Sequence, residues 1–224
     1  MFDDRVNVDM LVKLDNHVKD ACNGAFGQKG RVMAGVRQFD ESEAFEKALE
    51  LFWRKGYADT SMNDLAQATG VQRGSLYHAY GGKDVLFLRA FEVHAGRYLE
   101  QARAVLAKPA THKAALDAFF DFIVDWLLVG EPARGCLTTK TAFGGEVVDE
   151  PIREALAGLL DELEAAVRDR LAQPDRGPAL ALPPAKAARL AIAVTRGMVV
   201  FERVYRDRKR MRGAADALME VLFA

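Results

Sequence analysis

Cysteine is scarce in this sequence: 224 residues carry two, Cys22 and Cys136. They lie far apart, with no Cys-x-x-Cys and no Cys/His spacing, which excludes a disulfide framework and a structural zinc site and fits a reducing compartment. Charge of one sign is also lacking. The formal net charge is −1, so no global basic bias points to nucleic acid, and such a partner must be recognised by local placement of charge. No apolar run approaches the roughly 18 residues of a membrane span. The N-terminus reads Met1-Phe2-Asp3-Asp4, acidic where a secretory signal would be basic. A soluble, cytoplasmic chain without a membrane partner is expected. Catalytic signatures are missing too. There is no Gly-x-Ser-x-Gly, P-loop or dinucleotide fingerprint, and none of the histidines His17, His78, His94 and His112 stands in a Glu-x-x-His pair. No catalytic residue, metal or cofactor is expected.

Strand patterns are nearly absent, whereas apolar residues recur at helical spacing almost throughout, and half the chain is hydrophobic. The spacing predicts an all-α fold of about nine helices. Residues 1–36, interrupted by Gly24, Gly27, Gly30 and Gly35, read as a flexible arm, with Met33 as an alternative native start. A helix from Glu41 to Lys55 carries Phe45, Ala48, Leu49 and Phe52 on one face. Ser61-Met62-Asn63-Asp64 is a capping box opening a short helix that stops at Gly70. A third helix runs from Gln72 to Ala79. Longer helices follow: Lys83 to near Pro109, Thr111–Val129, Gly135–Phe143, Pro151–Gln173, Pro184–Arg206 and Arg212–Phe223.

Two short helices joined at Gly70 have helix-turn-helix spacing, where the second enters the major groove and the first braces it. An ordinary corner between core helices has the same spacing, so composition decides. From Val71 to Lys83 the chain reads VQRGSLYHAYGGK, with two basic residues and no acid. Gln72, Arg73, Ser75, Tyr77 and His78 can all donate hydrogen bonds to phosphates or base edges.

Residues 40–88 resemble the DNA-binding domain of the tetracycline-repressor (TetR) family. The resemblance rests on Phe45, Ala48, Leu51 and Phe52, Gly56-Tyr57, Thr60-Ser61, Leu65-Ala66, Gly70-Val71, Gly74-Ser75-Leu76-Tyr77-His78 and Gly82-Lys83-Asp84 with Leu86. It departs at Tyr80, where Phe is usual, and at Ala79, where a larger residue is common. It implies a helix-turn-helix domain over 37–84 and a helical ligand-binding and dimerisation domain over 85–224. Arg73, Gly74, Ser75 and His78 would then face base edges, Tyr77 with Thr60 or Ser61 would bind phosphates, and Asn63 could do either. Lys83 would hold a phosphate at a helix N-terminus. The implied function is a ligand-responsive transcriptional regulator, in the family's usual mode a repressor. Its partners would be a palindromic double-stranded operator, a small-molecule inducer and a second copy of itself. The rivals from other classes are a helical enzyme and a protein-binding adaptor.

The helix from Pro184 to Arg206 is apolar on most sides, as one that serves both a core and a symmetry mate would be. Phe119, Phe122, Ile123, Trp126, Phe143 and Met198 are candidates for lining a ligand cavity. Cys136 and Lys140 join them, because Arg134-Gly135-Cys136-Leu137-Thr138-Thr139-Lys140 resembles a segment of electrophile-sensing members of the family. A helix starting at Gly135 would put Cys136 in its first turn, with Lys140 on the same face, favouring a thiolate. The alternative is a small hydrophobe bridging two helices.

Overall fold

The computed structural model describes residues 40–145 and 149–223. Among them are nine helices and no strand: α1 (Glu41–Lys55), α2 (Met62–Thr69), α3 (Arg73–Tyr80), α4 (Lys83–Ala107), α5 (His112–Leu127), α6 (Leu137–Phe143), α7 (Glu150–Leu171), α8 (Pro184–Tyr205) and α9 (Arg208–Leu222). The expectations for the arm over 1–36, Met33 and Cys22 lie outside the described residues. The chain forms two compact units, Met1–Ala44 and Phe45–Ala224. In the first, Asp40 caps α1, its Oδ1 accepting from the N–H groups of Ser42 (2.9 Å) and Glu43 (3.1 Å). The second holds everything that follows, so the helix-turn-helix and the larger helical body belong to one unit.

In the larger unit the apolar stripe of α1 (Phe45, Ala48, Leu49, Phe52) is buried, as its spacing predicts. Gly56 ends the helix at φ +84°, a left-handed conformation that favours glycine. Downstream, α4 packs on α5 and α7, α8 on α7 and α9, and α9 returns to α5. Phe87 and Phe91 of α4 and Leu116, Phe119, Phe120 and Ile123 of α5 are essentially inaccessible. Each such side chain contributes about 1.5–3 kcal/mol of burial. The C-terminus of α4 is closed from α7, where buried Arg170 donates to the carbonyls of Leu106 (3.1 Å) and Pro109 (2.9 Å).

Two helix starts differ from expectation. α6 begins at Leu137 and leaves Cys136 as its N-cap, in extended conformation, because Gly135 at φ +66° turns the chain just before it. α9 begins at Arg208, one turn earlier than read. Asp207 caps it, its Oδ1 accepting from the N–H groups of Lys209 (2.8 Å) and Arg210 (3.4 Å). Asp207 was the legible signal, hidden inside a run of basic residues.

Candidate nucleic-acid interface and neighbouring pocket

The geometry of α2 and α3 is set by local chemistry. Ser61 caps α2: its hydroxyl accepts from the Asp64 N–H at 3.1 Å and donates to Asp64 Oδ2 at 2.5 Å, while the same oxygen accepts from the Ser61 N–H at 2.8 Å. Lys55 adds a 2.9 Å ion pair to Asp64. The Ser61 hydroxyl, then Lys55, hold the Asp64 carboxyl well below its usual range. Gly70 at φ +72° ends α2 and turns the chain into α3. Met62, Leu65, Val71, Leu76 and Tyr80 point inward and are buried, which fixes the opposite face of α3 outward.

That outward face carries the expected residues. Arg73, Gly74, Tyr77 and His78 are exposed and Ser75 is half-buried. Tyr77 is 41% exposed, so it is no core residue. A Cβ placed on Gly74 would meet nothing within 4 Å, leaving its backbone open to a partner's approach. Arg73 lies with its guanidinium 5.5 Å from the Tyr77 ring centre and within 3.4 Å of exposed Asn63 Oδ1, so three of the expected residues form one cluster. Lys83, the first residue of α4, sits 4.0 Å over the Tyr57 ring and donates to the Tyr57 carbonyl at 3.2 Å. The Tyr57 hydroxyl donates to Asp84; burial first, then that carboxylate, push the phenol above its usual range. Thr60 stands apart from the cluster. It is buried, and its hydroxyl donates to the Gly56 carbonyl at 2.6 Å, so it fixes the loop between α1 and α2 instead of facing outward.

A second feature lies in the helical body. A cavity of about 20 Å³, room for about one water, is lined by His94 and Tyr98 of α4, Ile123, Trp126 and Leu127 of α5, and Cys136, Leu137 and Thr138 at the start of α6. Leu159, Leu160 and Leu163 of α7 and Arg196 of α8 complete it. Of the eight sequence candidates, Ile123, Trp126 and Cys136 line it. Phe122 packs behind Trp126, with ring centres 5.7 Å apart. Phe119 and Met198 are wholly buried in the core. Phe143 is 83% exposed and belongs to no cavity, because the last turn of α6 carries it outward.

Lys140 also departs from expectation. Its ammonium donates to the carbonyls of Trp53 (3.0 Å), Arg54 (2.9 Å) and Arg134, so it closes the C-terminus of α1 instead of facing Cys136. The cation at Cys136 is Arg196, whose Nη1 lies 3.7 Å from Sγ. Trp53 joins the same junction: its indole N–H donates to the Gly135 carbonyl at 2.9 Å, and Arg134 stacks on its ring while pairing with Glu50 at 3.1 Å.

His94, Tyr98, Trp53 and Arg196 were missed by sequence reasoning. His94 completes the stripe Phe87, Phe91, His94, Tyr98, and Arg196 is the sole charge between Arg189 and Glu202 in an apolar helix; both signals were legible. Burial, then the cations Arg97 and Arg134, push His94 from its usual 6.5 to about 3. Burial likewise lowers Lys140 and raises Glu202. Among the described residues no group of three His, Cys, Asp or Glu side chains could hold a metal, and no helix is long and apolar enough to cross a membrane.

Two short helices, the first closed by the Ser61 capping box, that present an acid-free polar face beside a larger helical body form a helix-turn-helix. Comparison with known proteins agrees. Residues 45–90 match the family described as bacterial regulatory proteins, tetR family, and residues 113–217 match the LmrA/YxaF-like transcriptional regulator C-terminal domain. An HTH-type transcriptional regulator of Mycobacterium tuberculosis is 32% identical over 163 residues, covering 70% of this chain and 80% of that protein. The HTH-type transcriptional repressor ComR of Escherichia coli is 29% identical over 117 residues, or 50% of this chain. The chain spans little more than half the length of ComR (56%) and of the Bacillus subtilis regulator YezE (57%). Among solved structures, the TetR-family regulator CifR bound to a 26 bp operator superposes with a TM-score of 0.72 at 26% identity, covering 86% of this chain and all of that one. Reduced NemR of E. coli gives 0.71 at 19% identity, covering 81% and 97%, a likeness of fold. The chain belongs to the TetR family of transcriptional regulators.

Proposed function

We propose that the protein is a cytoplasmic, homodimeric repressor that binds a roughly palindromic operator and releases it when a small molecule occupies the cavity at Trp126 and Cys136. The observation that carries this reading is the outward face of α3, where Arg73, Gly74, Tyr77 and His78 are exposed beside Asn63 with no acid among them. In this reading residues 37–84 are the DNA-binding domain and 85–224 the ligand-binding and dimerising one. Arg73, Gly74, Ser75 and His78 read base edges, Asn63 and Tyr77 contact base or backbone, and Ser61 and Lys83 hold phosphates through groups near helix N-termini. ComR, a repressor by name, and CifR, solved on operator DNA, support it. Dimerisation is supported by an exposed stripe on α8, Leu190, Ala193, Gly197, Val200 and Val204, continued on α9 by Gly213, Ala217 and Val221. Small and aliphatic residues at three- and four-residue spacing suit close, self-complementary helix packing.

Cys136 supports a second mode of release, favoured by its 3.7 Å approach to Arg196. A Michael acceptor would add its β-carbon to the sulfur, the thiol proton ending on the α-carbon. Gel shift on DNA flanking the protein's own gene tests the main reading. Tight, sequence-dependent binding that weakens in Arg73→Ala is expected; salt-dependent binding of all sequences alike, unchanged in Arg73→Ala, contradicts it.

A further inference from the structure

A guanidinium taken partly out of water is costly unless a counter-charge or fixed acceptors meet it. The partly and fully buried arginines of this body obey that rule, with one exception. Arg97 pairs with Glu46, Arg134 with Glu50 and Arg212 with Asp117, while Arg170 meets two carbonyls at a helix end. Arg196 is half-buried at the cavity wall with no carboxylate within 4 Å among the described residues. Its Nε and Nη2 lie 3.1 and 3.0 Å from Thr195 Oγ1, its Nη1 lies 3.7 Å from Cys136 Sγ, and the Tyr98 hydroxyl is its other partner. All of these are neutral donor–acceptor groups. The Thr195 hydroxyl is itself committed to the Ile192 carbonyl at 2.7 Å, so it offers Arg196 only a lone pair.

We propose that Arg196 anchors the anionic head group of the inducer, so that the ligand is a small organic carboxylate whose apolar body lies against Trp126 and Tyr98. The proposal rests on reading this cavity as the effector pocket. A planar guanidinium matches a carboxylate through two parallel hydrogen bonds, which a point charge cannot do. A monoanion is specified because the other cation of the segment, Lys140, is turned away onto the α1 carbonyls. Beside His94 and Thr138, the wall carries an apolar stretch of Ile123, Leu127, Leu159 and Leu163 that suits a hydrocarbon body.

Size gives this assignment a consequence. A carboxylate with any body exceeds about 20 Å³, so the occupied pocket is larger than the empty one, and some wall has to give. The wall least held by helical hydrogen bonds is Gly135-Cys136, ahead of α6. The carbonyls of Arg134 and Gly135 in this segment hold Lys140 and the Trp53 indole. Swelling there pulls on the end of α1, and binding favours the state in which that grip is loosened.

The test uses the full chain without DNA. The protein has two tryptophans, Trp53 and Trp126, both at this junction, so intrinsic fluorescence reports it alone. Acetate, octanoate, benzoate and phenylacetate are titrated, each beside its primary amide. At least one carboxylate should give a saturable change that its amide does not. Arg196→Met should raise the half-saturation concentration by roughly tenfold or more, the loss of one charge-assisted pair, and Arg196→Lys by less. Thermal melts confirm that both variants fold, and Arg196→Lys carries the test should Arg196→Met not. The proposal is overturned if no carboxylate saturates, if amides act equally, or if Arg196→Met responds like the parent. It is also overturned if only thiol-reactive compounds act and Cys136→Ser abolishes their effect, since the guanidinium then serves the sulfur. Gel shift without ligand is scored separately: failure to bind operator removes the repressor reading and leaves the carboxylate result standing, and the converse holds.

Discussion

Trp53 of α1 and Trp126 of α5 lie nearly face to face, ring centres 5.2 Å apart and planes inclined by 25°. One indole ends the helix that carries the helix-turn-helix; the other walls the cavity. Together with Lys140, which donates to the carbonyl of Trp53 itself, they give the two functional regions a shared boundary of packed rings and charge-assisted hydrogen bonds. A displacement on one side has an energetic cost on the other.

Lys140→Met is therefore expected to uncouple the two. It leaves the Trp53 and Arg54 carbonyls without their cation and should destabilise the fold by about 1–2 kcal/mol. Urea unfolding measures that loss. The functional readout is separate: the variant should still bind operator, while an inducing ligand releases it less. A variant that is destabilised but retains full ligand-induced release would place the coupling elsewhere.

Within the interface, Arg73 and Lys83 should fail differently. Arg73→Ala should relax preference at particular base pairs, costing about 1–3 kcal/mol per lost base contact. Lys83→Ala should weaken all sequences alike and reduce the slope of log affinity against log salt by about one phosphate. Thr60→Val is the control. Its hydroxyl serves the Gly56 carbonyl, so it should lower stability by about 1–3 kcal/mol and leave the salt slope unchanged.

Much of this was legible in the sequence because local signals agreed with the fold. The capping box at Ser61, the left-handed Gly70 and the periodicity of α1 each specify structure within a few residues of themselves. The acid-free stretch at 71–83 was likewise readable, because exposure of α3 follows from burial of Leu76 and Tyr80. Thr60 was not, since its role depends on where the Gly56 carbonyl ends up. The pocket was harder still. Its lining comes from five helices, and aromatic residues at helical spacing look alike whether they face a cavity, as Trp126 does, or a packed core, as Phe119 does. Lys140 shows the same limit: four residues from Cys136 in sequence, its flexible side chain turns to a helix end that periodicity does not reveal.

The dimer can be tested through exposed residues alone. Val200 and Val204 are 55% and 63% exposed on α8, and Val221 is 62% exposed on α9, so charging them leaves the core of one protomer intact. Val200→Glu combined with Val221→Glu should convert the dimer to a monomer by sedimentation with little change in helix content. Operator affinity should fall steeply, since two half-sites about 34–36 Å apart require two linked recognition helices. A double variant that sediments as a dimer would move the interface off this stripe.

The final prediction concerns acid. His94 is buried against Trp53 and Trp126, and its pKa falls from 6.5 to about 3 through burial and the cations Arg97 and Arg134. Its depressed folded-state value means that the unfolded chain binds a proton first. Between about pH 6.5 and pH 3 the unfolded state holds more protons, so stability rises with pH. The contribution of neutral His94 is complete above pH 6.5 and is lost as the solution is acidified. One group contributes a slope of up to about 1.4 kcal/mol per pH unit. Asp64, whose carboxyl is lowered from 3.8, adds to the loss only at the acid end of this window. Glu202, raised by burial from 4.5, binds its proton more readily in the folded state and opposes it. The difference between the parent and a His94 variant from about pH 6 to pH 4.5 therefore reports the imidazole. Urea unfolding across that stretch should show stability falling with acid in the parent and a flatter profile in His94→Phe, which keeps the ring packing but has no proton to take up. Equal slopes in the two proteins would mean that His94 is protonated in the folded state, and that the cavity wall beside it already carries a charge.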